Sequence, residues 1–381
     1  MQNFTFSNPT KIIFGKAVVA KLGPEAAKAG QIALFVYGGG SIKKNGVYDV
    51  IIAALAKEGV AVVEHPGVKP NPVLSHVRAG IKKARENECD LVVAAGGGSV
   101  IDEAKAIAAG VKYSGDVWDF FCGKAQVREA LPLFTALTLP ATGSEMNSGC
   151  VVTNEETAQK FAAQGAALFP VISVLDPETT MTLPRAQVAN GAVDAIAHII
   201  EGYFTTKDAD NAVTDEVVHA LARSIIASTE RILKDPADYN ARASMMWSAT
   251  LALNGLATCG YGGMNFINHA IEHALSALYD IAHGAGLAIV MPAWFKHHLE
   301  TAGPARLEKF GKAVFGTKTA EETIQAFEDF FRKTGAPVRL SEAKIPAADI
   351  PRIAENAMGL IRLWGMKHEQ PEIEKILGKA V

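Results

Sequence analysis

The segment "NGAVDAIAHIIEGYF" at residues 190–204 carries Asp194 and His198 four positions apart. On a helix, that spacing sends both side chains from one face about one turn apart. Val193, Ile196, Ile199 and Ile200 surround them and predict a largely buried helix. A carboxylate taken out of water must be paired or bound to a cation. Two outcomes are open: an internal Asp–His hydrogen bond, or two ligands of one ion. A second segment, "NFINHAIEHALSALYDIAHGAG" at 265–286, repeats the spacing in His269 and His273 and adds His283. One continuous helix would put His269 and His283 about 21 Å apart at 1.5 Å per residue. They reach a common ion only if the chain breaks and turns back, and "LYDIAHG" offers such a break. Three imidazoles within fifteen residues, with Asp-x-x-x-His elsewhere, favour a divalent-ion site. His297 and His298 in "WFKHHLE" are expected on a solvated helix face, and His65, His76, His219 and His368 have no evident partner.

Two glycine tracts offer a different chemistry. "DLVVAAGGGSVIDEAKAIAA" places Gly96, Gly97, Gly98 and Ser99 between an apolar run and a helical one. Backbone without Cβ can approach a phosphate, and the free N–H groups of a helix start attract the anion. No Gly-Lys-Ser/Thr follows and G-x-G-x-x-G does not fit, so the tract is neither a Walker A loop nor that fingerprint. "LTLPATGSEMNSG" at 137–149 groups Thr138, Thr142, Ser144 and Asn147. These either bond the ribose or amide groups of a cofactor or cap their own loop. The other tract, Gly38-Gly39-Gly40-Ser41, is followed by "IKKNG" with no acidic residue in 37–46. Taken alone, it reads best as a plain turn with two solvated lysines, Lys43 and Lys44.

The elements that must hold these groups change texture along the 381 residues, a length that predicts two domains. Up to about residue 178, short β-branched runs such as "QIALFVYG", "GVAVVEHP", "CDLVVAAG", "LFTALTLP" and "PVISVLDP" alternate with amphipathic stretches. Alternation of this kind predicts a parallel sheet covered by helices. From about 185 onward the chain reads as helix, with Pro184 where a first turn tolerates it. The expected architecture is an α/β domain over 1–178 and an all-α domain over 179–381, with ligands in a cleft between them. A net charge of −3 without like-charge blocks argues against nucleic acid or an anionic membrane as partner. No secretion signal or membrane-spanning run is evident, and Cys89, Cys122, Cys150 and Cys259 form no CxxC pair. A cytoplasmic setting is expected.

In combination, "GGGSVIDEAKAIA", "LPATGSEMNSG", "VANGAVDAIAHIIEGY" and "NHAIEHALSALYDIAHGAG" resemble the iron-containing, or group III, alcohol dehydrogenases. The opening "NPTKIIFGKAVVAKLG" fits as well, and "LFVYGGGSIKKNGVYD" is most similar to NADPH-dependent aldehyde reductases and butanol dehydrogenases. The resemblance implies the dehydroquinate synthase-like fold, a Rossmann-like dinucleotide-binding α/β domain followed by a helical metal-binding domain. It implies Asp194, His198, His269 and His283 as ligands of Fe(II) or Zn(II), with His273 lining the site as a candidate catalytic proton relay. It implies cofactor contacts at Gly96, Gly97, Gly98, Ser99, Asp102, Thr138, Thr142 and Lys160. Gly38, Gly39 and Ser41 fall at the adenosine end, where many NADH-using relatives carry aspartate in place of Gly39. NADP(H) is therefore the expected cofactor, a small aldehyde or primary alcohol the expected substrate, and a homodimer the expected assembly. An NAD-dependent polyol or glycerol-type dehydrogenase, a dehydroquinate synthase-type enzyme and a non-catalytic dinucleotide sensor are the competing expectations.

Overall fold

Runs of β-branched and aliphatic residues become strands here because both of their faces are covered. Ala33, Leu34, Phe35 and Val36 are fully buried, as are Leu91, Val92, Val93, Ala94 and Ala95, the pattern of a parallel sheet with helices on either side. The structure, a computed structural model, describes residues 1–208 and 210–381. Its main sheet contains β1 (Lys11–Phe14), β2 (Ile32–Tyr37), β3 (Ala61–Pro66), β4 (Leu91–Gly97), β5 (Leu133–Leu139) and β8 (Ile172–Leu175). All neighbours run parallel, in the order β1-β8-β5-β4-β2-β3. A separate antiparallel hairpin joins β6 (Gly149–Asn154) to β7 (Gln159–Gln164).

Strand order fixes where a ligand can sit. From β2 the chain moves outward to β3, then crosses back to β4 on the other side of β2. The loops after β2 and β4 thus diverge at a topological switch point, where open α/β sheets leave a crevice beyond the strand ends. Those loops are the two glycine tracts, and Tyr37 and Ala95 just before them are register partners.

One compact unit comprises Ser7–Leu183 with Pro236–Thr250, and the other Met1–Phe6, Pro184–Asp235 and Leu251–Val381. Two segments thus depart from a single division at 178/179. The first six residues belong with the helices. Residues 236–250 belong with the α/β unit, where Lys16 lies over the Tyr239 ring and Thr250 donates to Glu145. Among its described residues the second unit has helices and no strand. None of the described helices is long and apolar enough to cross a membrane.

Candidate metal centre and dinucleotide loops

The helix Arg185–Thr205 follows Pro184, which stands at its N-cap, and is buried along nearly its whole length. Asp194 and His198 therefore leave the helix inside the protein, only 3% and 4% exposed. The helix Ile267–Tyr279 supplies His269 and His273, and stops where Asp280 takes a left-handed conformation (φ 50°). A new helix then starts at His283. The expected break is present, and it brings the His269 and His283 rings to 5.3 Å.

Three imidazole nitrogens surround one carboxylate oxygen. His198 Nδ1, His269 Nε2 and His283 Nε2 lie 3.6, 3.8 and 3.5 Å from Asp194 Oδ1. These separations are too long for hydrogen bonds. Ligand atoms about 2.1 Å from one ion stand roughly 3.0 Å apart at a right angle and about 3.4 Å apart in a tetrahedron. The observed spacing is thus slightly wider than the edge of a coordination shell. Asp194 Oδ1, His198 Nδ1 and His269 Nε2 are also buried without a hydrogen-bond partner. Buried polar atoms left bare are costly, and a cation at their centre satisfies all three. The residues fit a divalent ion.

Two carboxylates stand behind the imidazoles. Glu201 Oε2 bonds His269 Nδ1, and its Oε1 accepts the Asn268 backbone N–H at 2.5 Å. Glu272 Oε2 bonds His283 Nδ1, and Ser276 donates to its Oε1. A carboxylate on Nδ1 keeps the proton there and presents the Nε2 lone pair to the ion. Both glutamates are fully buried. Sequence reasoning missed them, although a signal existed. Glu201 lies seven residues after Asp194, two turns along the same face, and Glu272 stands between His269 and His273 in an apolar helix.

The charges are arranged for cation capture. Burial pushes the Asp194 carboxyl up, but His198, His283 and His269 outweigh it and hold it at about 2. Desolvation lowers His198 to about 4, leaving it neutral near pH 7. Burial opposes a charge on His269 too, yet Glu201 and Asp194 raise it to about 9. An arriving cation must displace that proton, so binding near neutral pH releases it. His273 is buried beside this cluster, its ring 5.5 Å from His283 and 6.1 Å from Trp364.

In the α/β unit, the helix Gly98–Lys112 starts from the second glycine tract without a side-chain cap or an acidic first turn. Its first N–H groups have no intrahelical partner and suit an anion. A Cβ on Gly98 would lie 2.3 Å from the Thr142 side chain, and one on Gly96 2.5 Å from Val100. Glycine is needed at both positions by the protein's own packing. Thr142 Oγ1 accepts the Ser144 backbone N–H, and Thr138 is buried at the end of β5. Asp102 has both oxygens engaged internally, Oδ1 with Ser144 Oγ (2.6 Å) and Oδ2 with the Val151 N–H (3.0 Å). Desolvation raises its pKa to about 6. Lys160 Nζ donates to Asn71 Oδ1 inside the unit at 2.9 Å.

The first tract differs. Gly40 has φ of 105° and starts the short helix Ser41–Lys44, so it needs glycine. Gly39 has no positive φ and faces open space, with nothing within 4 Å of a Cβ. Gly38 ends against Val68 and Val100. Lys43 is not simply solvated, because its Nζ lies 4.4 Å from the centre of the Tyr48 ring and 3.8 Å from Glu64.

Six histidines depart from expectation. His65 and His76 do have a partner, since both reach Glu103 Oε1; His219 reaches Glu216 and Tyr203, and His368 reaches Glu372. His297 is buried and His298 half-buried, stacked on Trp294 at 4.8 Å. The apolar "MPAWF" just before them outweighs their own polarity.

Residues 9–177 match the family described as iron-containing alcohol dehydrogenase, and residues 188–381 its C-terminal counterpart. The chain is 43% identical over 366 residues to a probable NADH-dependent butanol dehydrogenase 1 of Bacillus subtilis, covering 94% of each. It is 37% identical over 362 residues to the NADPH-dependent aldehyde reductase YqhD of Escherichia coli, covering 93% of this chain and 92% of that one. The crystal structure of NADH-dependent butanol dehydrogenase A from Thermotoga maritima superposes with a TM-score of 0.97 at 46% identity, covering 100% of this chain and 99% of that one. With both units matched and the buried imidazole–carboxylate cluster in place, the chain belongs to the iron-containing alcohol dehydrogenase family.

Proposed function

We propose that the protein interconverts small aldehydes and primary alcohols with NADP(H), using one divalent ion held by Asp194, His198, His269 and His283. The observation that carries this reading is the ring of three imidazole nitrogens 3.5–3.8 Å from Asp194 Oδ1. When bound, the ion supplies a Lewis acid for the carbonyl oxygen and the dinucleotide supplies the hydride. Asp194 contributes the one anionic ligand and lowers the net charge of the centre. Glu201 and Glu272 fix the ring orientation of His269 and His283 and hold a ring proton on Nδ1, so that Nε2 is the atom offered to the ion. Four nitrogen and oxygen donors suit Fe(II) or Zn(II), and affinity trends favour zinc where both are present. His273, buried against His283 and Trp364, is the proposed proton relay to the alkoxide oxygen.

For the dinucleotide, we assign the pyrophosphate to the turn Gly96–Ser99 and its helix start, flanked by Thr138 and Thr142. The adenosine end falls to Gly38, Gly39 and Ser41. Open space at Gly39 supports NADPH over NADH, because a 2′-phosphate finds room and meets no carboxylate at that position. The relatives' names divide between the two cofactors and do not choose. A cytoplasmic homodimer is the proposed setting, the compartment on the scattered cysteines and the dimer on the family resemblance. The test is kcat/KM for butyraldehyde with NADPH and with NADH, in the wild type and in Gly39→Asp. NADPH preference, lost or reversed in the variant, is expected. Wild-type preference for NADH, or unchanged selectivity in the variant, refutes the cofactor assignment.

A further inference from the structure

The α/β unit gathers a second set of ligand-type side chains, unrelated to the dinucleotide loops or to Asp194. β3 supplies His65, the helix Leu74–Glu86 supplies His76, and the helix Gly98–Lys112 supplies Glu103. His65 Nε2 and His76 Nδ1 lie 3.1 and 2.6 Å from Glu103 Oε1. Their rings stack at 4.2 Å with 27° between planes, much as His198 and His269 do at 4.6 Å and 24°. As at Asp194, stacked imidazoles converge on one oxygen of a buried carboxylate, here two imidazoles in place of three.

Two features distinguish this cluster from an ordinary histidine–carboxylate hydrogen bond. Glu103 is fully buried, where a carboxylate needs a positive partner. Both imidazoles converge on Oε1, while Oε2, equally buried, has no hydrogen-bond partner. Two imidazoles on one oxygen leave half of the carboxylate bare. A cation between the imidazoles and the carboxylate engages both oxygens and supplies the charge. The backbone makes room for this group, since a Cβ on Gly80 would sit 2.9 Å from His65 Nε2 and 2.4 Å from Ile107.

The geometry points to a second divalent-cation site, formed by His65, His76 and Glu103, with water completing the coordination. Two imidazoles and a carboxylate with an open position suit Zn(II). The side chain of His76 is 28% exposed, which gives the ion a route from solvent. Ligand atoms around one ion need about 3.0–3.4 Å between them. The 2.6 Å His76–Glu103 contact must therefore open by under about 1 Å, on the side facing water. A bound ion ties β3 and the helix Leu74–Glu86 to the helix that begins at the Gly96–Ser99 turn.

The experiment loads the full-length protein with excess zinc, removes unbound metal by desalting, and counts zinc per chain by mass spectrometry. The readout is the difference between wild type and variant, whatever the occupancy of the Asp194 centre. The wild type is expected to hold one equivalent more than Glu103→Gln and one more than His76→Ala, each variant keeping the wild-type circular dichroism. No difference, in either folded variant, overturns the site. If Glu103→Gln does not fold, His76→Ala, altered at the partly exposed edge, decides alone.

Discussion

Glu272→Gln isolates what a carboxylate behind a metal ligand contributes. Glu272 is fully buried and accepts hydrogen bonds from His283 Nδ1 on Oε2 and from the Ser276 hydroxyl on Oε1. Glutamine has the same shape. Its amide oxygen can still accept from His283, and its NH2 can donate to Ser276, whose hydroxyl then turns to the Ile281 carbonyl 3.2 Å away. Packing and ring orientation are retained and only the charge is lost. A charge-assisted hydrogen bond is roughly twice as strong as a neutral one, which puts the loss at about 1–1.5 kcal/mol. At about 1.4 kcal/mol per tenfold, metal affinity should fall by roughly tenfold, the low end of the range for such partners. Glu272→Ala also frees the ring and leaves a void, and should cost about a hundredfold or more. Chelator-competition titration with Co(II) or Zn(II) measures both. If Glu272→Gln binds the ion within twofold of wild type while Glu272→Ala is equally unaffected, the carboxylate does not support a metal ligand and the reasoning fails.

Three further outcomes follow from the structure. Gly98→Ala forces a methyl group to within 2.3 Å of Thr142 and should lower stability by about 1–3 kcal/mol, read by urea unfolding, with weaker dinucleotide binding; unchanged values would contradict the packing described. Desolvation, helped by His297 and Arg306, lowers His298 to about 4. The unfolded chain therefore takes up this proton first, and stability contributed above pH 6.5 is lost as pH falls towards 4. With a discount for partial exposure the loss is about 1–3 kcal/mol, and His298→Leu should flatten that part of the pH profile in urea unfolding. His273→Ala should lower kcat while metal content stays at the wild-type value; loss of the metal would make His273 a ligand instead.

What the sequence made legible follows from the range of each interaction. Each of the five apolar runs contains a strand of the parallel sheet: β2, β4, β5 and β8 are covered on both faces and so written in consecutive apolar residues, while the edge strand β3 is partly exposed. The β6–β7 hairpin was not legible. Its left-handed turn residue is Ala158 where glycine or asparagine is usual, and the only local cue is Asn154, whose side chain accepts the Glu156 N–H. Asp194 and His198 could be paired from one helix, and the break before His283 from its sequence. Spacing alone left His269 and His273 undivided, and the resemblance implied His269. Glu103 could not be joined to His65 and His76, since they come from three elements brought together only by the fold.

Anomalous diffraction at the metal edge, on crystals of protein loaded with Fe(II) or Zn(II), tests the central claim most directly. The expected result is a peak bonded to Asp194, His198, His269 and His283, with Glu201 and Glu272 in place behind His269 and His283. A loaded crystal with no peak among these four side chains, or one bonded to His273 in place of His269 or His283, would contradict it.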